Sequence, residues 1–411
     1  MNVRRRDRGT PEPRNYRTDP FAEAVAAAVQ SFGMLWIAWK MLIGNRVKYL
    51  GIVFGVVFAA LLIAQQASIF CGLMSLTVSQ IRDIQGPDIW VMDANVQYVD
   101  DIKPLADTEL FRVKGVPGVA WAVRFYKGTA RARLEEGSYE QMMLLGLDDA
   151  TLIGAPERIF MGSIADLRKP DAVIMDDAGY KRIWPGEPYR LGRVFEMNDR
   201  RAVVVGLTKA SRSFTSFPIV YTRYSQAVAF APPERKVLSF VLVDAEPGVA
   251  PEEVCRRITS QTGLQALTRA QFFRKTIRYY LAKTGIPVNF AVTVLLGFLV
   301  GTAIAGQTFY LFTVENIRQF GALKAMGTSN WTILGMVLAQ ALQVGLIGYG
   351  VGVGLAALFG QVVKGASRLS FFMPWQVLAI TAVAVFVIVL LASLLSIRKV
   401  LIVDPAIVFR G

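Results

Sequence analysis

From Tyr49 to Ile81 the sequence runs without a single charged side chain. A bilayer's hydrocarbon core is crossed by about 20 apolar residues in a helix. This run therefore spans a membrane and leaves enough residues over to project a helical extension beyond it. Three further uncharged runs follow late in the chain, Thr284–Val314, Ala325–Val363 and Leu369–Ile397. The pattern predicts a membrane protein with four transmembrane α-helices. Composition points the same way: 53% of the residues are hydrophobic, 18% are charged and the mean hydropathy is +0.40, too apolar for an ordinary soluble chain of 411 residues.

The formal charge of +14 invites a nucleic-acid reading, but nine of the Lys and Arg residues fall within the first fifty positions, as in a cytoplasmic flank. Basic and aromatic residues are not interleaved as in a nucleic-acid module, so no nucleic-acid partner is expected. The sequence contains no histidine. That removes the usual general base, the His-containing triads and nearly all catalytic zinc sites, and no catalytic or metal-binding residue is assigned. The spacing of Cys71 and Cys255 leaves their pairing open.

Residues 1–20 are polar and rich in Arg and Pro, and are expected to form a disordered cytoplasmic tail. Over 21–48, Phe21, Val25, Ala28, Phe32, Leu35, Trp36 and Trp39 share one helical face, with Lys40, Arg46 and Lys48 crowding its end. Such an amphipathic helix either lies at the membrane interface or packs on the protein's own spans. Residues 49–81 form span 1 and the start of a stalk. The pairs Gly51 and Gly55, Gly297 and Gly301, and Gly350 and Gly354, together with Gly348 and Gly352, are spaced for close helix packing.

Between the first two spans lies a polar stretch, 82–267, long enough for a domain. Short β-branched runs bounded by Gly, Pro or Asp, beginning at Ile89, Asp171, Arg201, Pro218 and Phe240, read as strands. A helix opens near Val249 and Pro251, with Glu252 and Glu253 in its first turn, and closes near Gly263. A second helix starts at Thr268. The expectation is an α+β extracytoplasmic domain inserted between spans 1 and 2, carried by a stalk helix that continues into span 2 over 268–314. Spans 3 and 4 are placed at 328–363 and 369–397, and a cytoplasmic tail at 398–411. Lys40, Arg46 and Lys48 put the N-terminus inside, and four spans return Arg398, Lys399 and Arg410 to the same side; Lys364 and Arg368 are the minority on the other.

A charged interruption, 315–327, separates spans 2 and 3. Ile317, Phe320 and Leu323 recur every three residues, Glu315, Arg318 and Lys324 lie off that stripe, and Gly327 can stop a helix. The segment reads either as a short amphipathic helix that a soluble partner grips, with the stripe as its docking face, or as a solvated turn.

The basic N-terminal helix, the large external domain, the three clustered C-terminal spans and this interruption resemble the MacB/FtsX-like permeases of ABC transporters. Glu315-Asn-Ile-Arg-Gln-Phe-Gly-Ala-Leu-Lys-Ala-Met-Gly327 is similar, without a gap, to the family's Glu-Arg-Thr-Arg-Glu-Ile-Gly-Ile-Leu-Arg-Ala-Leu-Gly signature, with Gln319 standing where the family has its second glutamate. Asp404, Pro405 and Ala406 through Arg410 resemble the family's ending, although Ile407 replaces an acidic residue. Segments from Gln85 and from Leu267 are similar to those of the DevC-like branch. The resemblance implies a bacterial inner-membrane, multi-pass permease with both termini cytoplasmic. It implies coupling to a cytoplasmic ABC ATPase dimer through Glu315, Ile317, Arg318, Phe320, Gly321, Leu323, Lys324, Met326 and Gly327. It further implies a second copy of the chain, a membrane-fusion adaptor with an outer-membrane duct, and export of a lipid or other hydrophobic substrate by mechanotransmission. The alternative is an FtsX-like regulator that activates an extracytoplasmic cell-wall hydrolase. The dipeptide Gly-Lys of a phosphate-binding loop does not occur in the sequence, so ATP is expected to be bound by the partner and not by this chain.

Overall fold

The computed structural model describes residues 33–34, 36–84, 86–232, 238–366 and 369–401. The N-terminal tail, most of the Phe21–Leu35 portion of the amphipathic helix and the ending from Asp404 to Arg410 lie outside them. Among the described residues, four helices are long and apolar enough to cross a membrane. They are α1 (Arg46–Thr77), α8 (Ile286–Glu315), α10 (Asn330–Ala366) and α11 (Trp375–Leu401). The last begins six residues inside the uncharged run, directly after Pro374, a residue that favours the start of a helix over its continuation.

The chain divides into two compact units. One takes in Gln65–Val294 and Ala357–Trp375 and holds the large domain. Short helix α2 (Ser79–Asp83) leads into β1 (Ile89–Met92), and α3 (Thr108–Lys114) precedes the long strands β2 (Val119–Arg133) and β3 (Tyr139–Leu147). Then come β4 (Ile159–Gly162), β5 (Ala172–Asp176), α4 (Asp177–Ile183), β6 (Val194–Met197), β7 (Arg200–Thr208), β8 (Ile219–Arg223) and α5 (Tyr224–Phe230). The unit closes with β9 (Phe240–Ala245), α6 (Pro251–Thr262), β10 (Gln265–Thr268) and α7 (Arg269–Lys283). The strands form one ten-stranded mixed sheet in the order β10-β1-β9-β2-β3-β8-β5-β7-β4, with β6 pairing β2 and β7.

Alternation along the strands distributes this sheet's apolar side chains between layers. Ile89 and Val91 pack with Val241 and Val243 against Val113 of α3 and Val254 and Ile258 of α6. Trp90 and Met92 point to the opposite face, with Phe240, Leu242, Ile81 of α2 and Phe272 of α7. Trp90 meets Phe125 and Phe240 edge-on, at centroid separations of 5.8 and 5.4 Å. Further along, Met142, Leu144, Val173, Met175 and Val220 bury against Tyr180 and Ile183 of α4 and Phe230 of α5.

Both connections to the membrane helices meet on one pair of strands. β1 pairs antiparallel with β10, Ile89 opposite Thr268, and Arg269 N donates to Asp88 O at 2.8 Å. Thr268 caps α7 and forms a reciprocal capping box with Gln271. From Arg269, Nε donates to Ile81 O at 3.0 Å, fastening the end of α2 to the start of α7. The loop after β1 is tied to α7 as well: Lys275 Nζ donates to Val96 O and Gln265 Oε1, and Tyr98 stacks on Tyr279 at 4.2 Å. The same loop is bound to the sheet by Lys127 of β2. This lysine is buried, donates to Val99 O at 2.9 Å and pairs with Asp100. Burial lowers its pKa, and the Asp100 carboxylate works against that shift.

Asp176, at the end of β5, is nearly fully buried, and its Oδ1 accepts from Gly179 N at 2.9 Å and Ile219 N at 3.0 Å. It thereby caps α4 and pins β8. Desolvation outweighs these two bonds and pushes the carboxyl from its ordinary 3.8 to about 6. The folded value lies above the unfolded one, so its contribution to stability is fully present below 3.8 and is lost as pH rises through about 6. Asp176→Asn keeps the accepting oxygen and removes the charge. We expect it to stabilise the protein by about 2–3 kcal/mol at pH 7.5 relative to its effect at pH 3.5. Chemical denaturation of variant and wild type at both pH values measures the difference, and an equal effect at the two refutes the buried charge.

The second unit comprises the described residues of Met1–Ala64, Leu295–Ala356 and Gln376–Gly411. α1 is its central contact. A methyl group at Gly301 of α8 would overlap Ala59, and methyl groups at Gly348 and Gly352 of α10 would overlap Val56 and Ala60. The close-packed face of α10 is thus the Gly348 and Gly352 one, whereas Gly350 and Gly354 face open space. Cys71 and Cys255 are free thiols.

Candidate functional site

The interruption between the second and third spans is helical. α8 ends at Glu315, Asn316 turns the chain, with its Nδ2 donating back to Phe312 O at 2.8 Å, and α9 runs over Ile317–Ala325. Gly327, at φ +89°, ends α9: Thr328 N bonds Leu323 O at 3.1 Å and Gly327 N bonds Lys324 O at 2.9 Å, the paired pattern of a Schellman stop. A side chain at that φ is strained, which explains a glycine here. Ser329 Oγ then accepts from Thr332 N at 3.2 Å and caps the start of α10.

The apolar stripe faces inward. Phe320 is fully buried among Ile333 and Val337 of α10 and Ile397 of α11, with Met41 against them. Leu323 packs with Ala38 and Met336. Residues 36–44 form a helix before α1; Ala38 and Leu42 are buried, Trp36 and Trp39 remain exposed, and Gln340 Nε2 donates to Ala38 O at 2.7 Å. Lys48 at the head of α1 forms an ion pair with Glu315 at the foot of α8. Both partners are partly exposed, so this pair sets register and adds at most about 1 kcal/mol.

In this placement Phe320 and Leu323 of the predicted docking stripe face the chain's own helices, and Ile317 is half-buried. A nine-residue helix is too short to hold itself together in water. α9 is held by turning Phe320 and Leu323 into its own chain, with Gly321 buried beside them and Ile317 half-buried. What α9 and its exit turn leave exposed is Arg318, Gln319, Ala325, Met326 and Gly327, with Trp331 in the first turn of α10; Lys324 is half-buried. Met326 is 74% and Trp331 81% exposed, although the turn between them is well anchored. Met326 belongs to the predicted coupling set. Trp331 does not, because it falls within an uncharged run assigned to span 3; its position just past a glycine stop, where tryptophans sit at membrane interfaces, was the available signal.

The "FtsX-like permease C-terminal" family pattern matches residues 291–405, and the "MacB-like periplasmic core domain" pattern matches 49–261, just over half of the 411 residues. An uncharacterized ABC transporter permease of Mycobacterium tuberculosis is 26% identical over 336 residues, covering 80% of this chain and 86% of that protein. Another, of Mycobacterium bovis, is 28% identical over 316 residues, covering 75% and 80%. Among solved structures, the extracellular domain of the noncanonic ABC-type transporter YknZ from Gram-positive bacteria is 16% identical, at a TM-score of 0.33 over 44% of this chain and 99% of that one. The periplasmic region of MacB from Actinobacillus actinomycetemcomitans is 15% identical, at 0.36 over 50% and 96%. With its four apolar helices, its α+β domain between the first two and both family patterns in their places along the chain, the protein belongs to the MacB- and FtsX-like permeases of ABC transporters.

Proposed function

We propose that this permease transmits the work of a separate cytoplasmic ABC ATPase dimer to its extracytoplasmic domain, and so exports a lipid or other hydrophobic substrate by mechanotransmission. Both termini are cytoplasmic in this reading, following Lys40, Arg46 and Lys48, and α9 lies on the ATPase side. ATP is bound by the partner, and two copies of this chain supply the two α9 helices that a symmetric ATPase dimer needs. In this reading a membrane-fusion adaptor and an outer-membrane duct complete the path, by likeness to the DevC-like branch.

The observation that carries this reading is the two-sided character of α9. Phe320 and Leu323 bind it to α10 and to the helix before α1, and Lys48 ties its root to α1, while Arg318, Gln319 and Met326 stay available to a second protein. A push on that exposed side is resisted by packed side chains, so it displaces helices instead of being absorbed by a loose turn. Met326→Asp places a charge on the exposed side without disturbing the buried one. We expect it to reduce ATPase stimulation at least about tenfold in reconstituted membranes, with an unchanged melting temperature. Wild-type stimulation by Met326→Asp combined with Arg318→Glu would remove α9 as the contact.

A further inference from the structure

The large domain carries a cleft of about 370 Å³ into which four cations converge: Arg82, Arg158, Lys209 and Arg269. Only two carboxylates, Asp83 and Glu157, share its lining. Asp83 is already engaged, paired with Arg82 Nε at 3.7 Å and accepting from Ser211 N at 2.6 Å and from Ser211 Oγ at 2.9 Å. Arg82 Nη2 donates to the same Ser211 Oγ at 3.3 Å, and Arg269 Nε is fixed on Ile81 O. On the other wall, β4 pairs with β7, and both Thr208 Oγ1 and Lys209 N donate to Arg158 O, at 2.7 and 3.1 Å. This backbone clasp sets Arg158 and Lys209 side by side. Both are exposed, and Lys209 extends over the Phe160 ring.

With Arg82 paired to Asp83, three cations and one remaining carboxylate, Glu157, share one concavity, the cations repel each other, and the packing of the domain does not require the exposed pair. An anion carrying more than one charge relieves that repulsion. Guanidinium groups match the oxygens of phosphate in pairs and an ammonium adds a compact charge, so the class of ligand is phosphate-bearing. Arg269 opens α7, whose 15 residues extend about 22 Å before the break that precedes α8.

We propose that this cleft binds a phosphate-bearing anion, either the headgroup of an anionic phospholipid or free phosphate, with Arg158 and Lys209 as its main contacts. A headgroup station deepens the transport reading and rests on that reading for its role; binding itself requires neither ATP nor the ATPase.

The test uses the full chain in nonionic detergent, titrated by calorimetry with inorganic phosphate, dihexanoyl phosphatidylglycerol and dihexanoyl phosphatidylcholine. Saturable binding of phosphatidylglycerol but not phosphatidylcholine, weakened at least about tenfold by Arg158→Gln with Lys209→Gln and by raised salt, assigns the headgroup. The same dependence with inorganic phosphate binding as tightly as phosphatidylglycerol assigns free phosphate. Arg131→Gln with Arg200→Gln, in a separate basic cleft, serves as the control. The proposal is overturned by absence of saturable binding, by equal binding to the zwitterionic lipid, or by equal losses in the two double variants. Such a failure leaves the coupling reading standing, because that reading is measured through ATP hydrolysis.

Discussion

Phe320→Asp is expected to lower the yield of folded permease and to abolish its stimulation of ATP hydrolysis together. The side chain it replaces is fully buried, against Ile333, Val337 and Ile397, with no cation among these neighbours. A carboxylate there is either desolvated without a partner or protonated at the cost of a large pKa shift, and each route costs several kcal/mol. That is a large share of the roughly 5–15 kcal/mol that separates folded from unfolded chains. α9 has no other buried large aromatic, so the expected outcome is its release from α10. Phe320→Leu keeps the site apolar and loses only volume, about 1 kcal/mol. Melting in detergent and tryptic cleavage at Arg318 and Lys324 read the difference: fast cleavage for Phe320→Asp, slow for Phe320→Leu and for Met326→Asp. Wild-type melting and cleavage for Phe320→Asp would mean that the stripe is not packed. The two aspartate variants thus separate the side of α9 that holds it from the side that meets a partner.

Asp100→Ala carries the second large effect, expected at about 3–5 kcal/mol of destabilisation. It leaves the Lys127 ammonium inside the domain with Val99 O as its remaining acceptor. Burial already lowers that lysine's pKa, and without the carboxylate it falls further until the amine gives up its proton, which limits the loss. Replacing both partners by apolar residues, Lys127→Met with Asp100→Leu, removes the desolvated charge altogether and is expected to recover most of the stability. Urea unfolding followed by tryptophan fluorescence compares the three proteins. If the double variant is as unstable as the single one, the cost comes from packing and not from an orphaned charge.

The membrane helices were legible in the sequence because a charge is so costly in hydrocarbon that its absence over a long run is nearly diagnostic. Strands β1, β5, β7, β8 and β9 were legible as β-branched runs for a similar reason: both faces are covered, so Ala172–Asp176 and Phe240–Val243 have almost no polar positions. Strands β2 and β3 escaped that reading. β2 carries Arg124, Lys127, Arg131 and Arg133 along with Gly128, a composition that resembles a loop until Lys127 is seen buried on Asp100. β3 begins with Tyr139, Glu140 and Gln141 at an exposed end and becomes apolar only afterwards. For α9, periodicity identified the apolar face but not what it faces, since a 3.6-residue repeat is the same whether the neighbour is the chain itself or another protein. The partners of Phe320 come from three distant parts of the sequence, Met41, Ile333 and Ile397, and no local pattern encodes that meeting.

The pairing of β1 with β10 has one more consequence. Because Ile89 lies opposite Thr268 and the guanidinium of Arg269 closes on Ile81, the residues from 93 to 264 leave and return at almost the same point. They form a detour whose contour length is invisible to the helices on either side. Loops within it can lengthen, and whole strands can be gained at the β4 edge, without changing the spacing of the two ends. The detour can therefore be exchanged while its two ends stay in place, as a tool changes its head on a fixed handle.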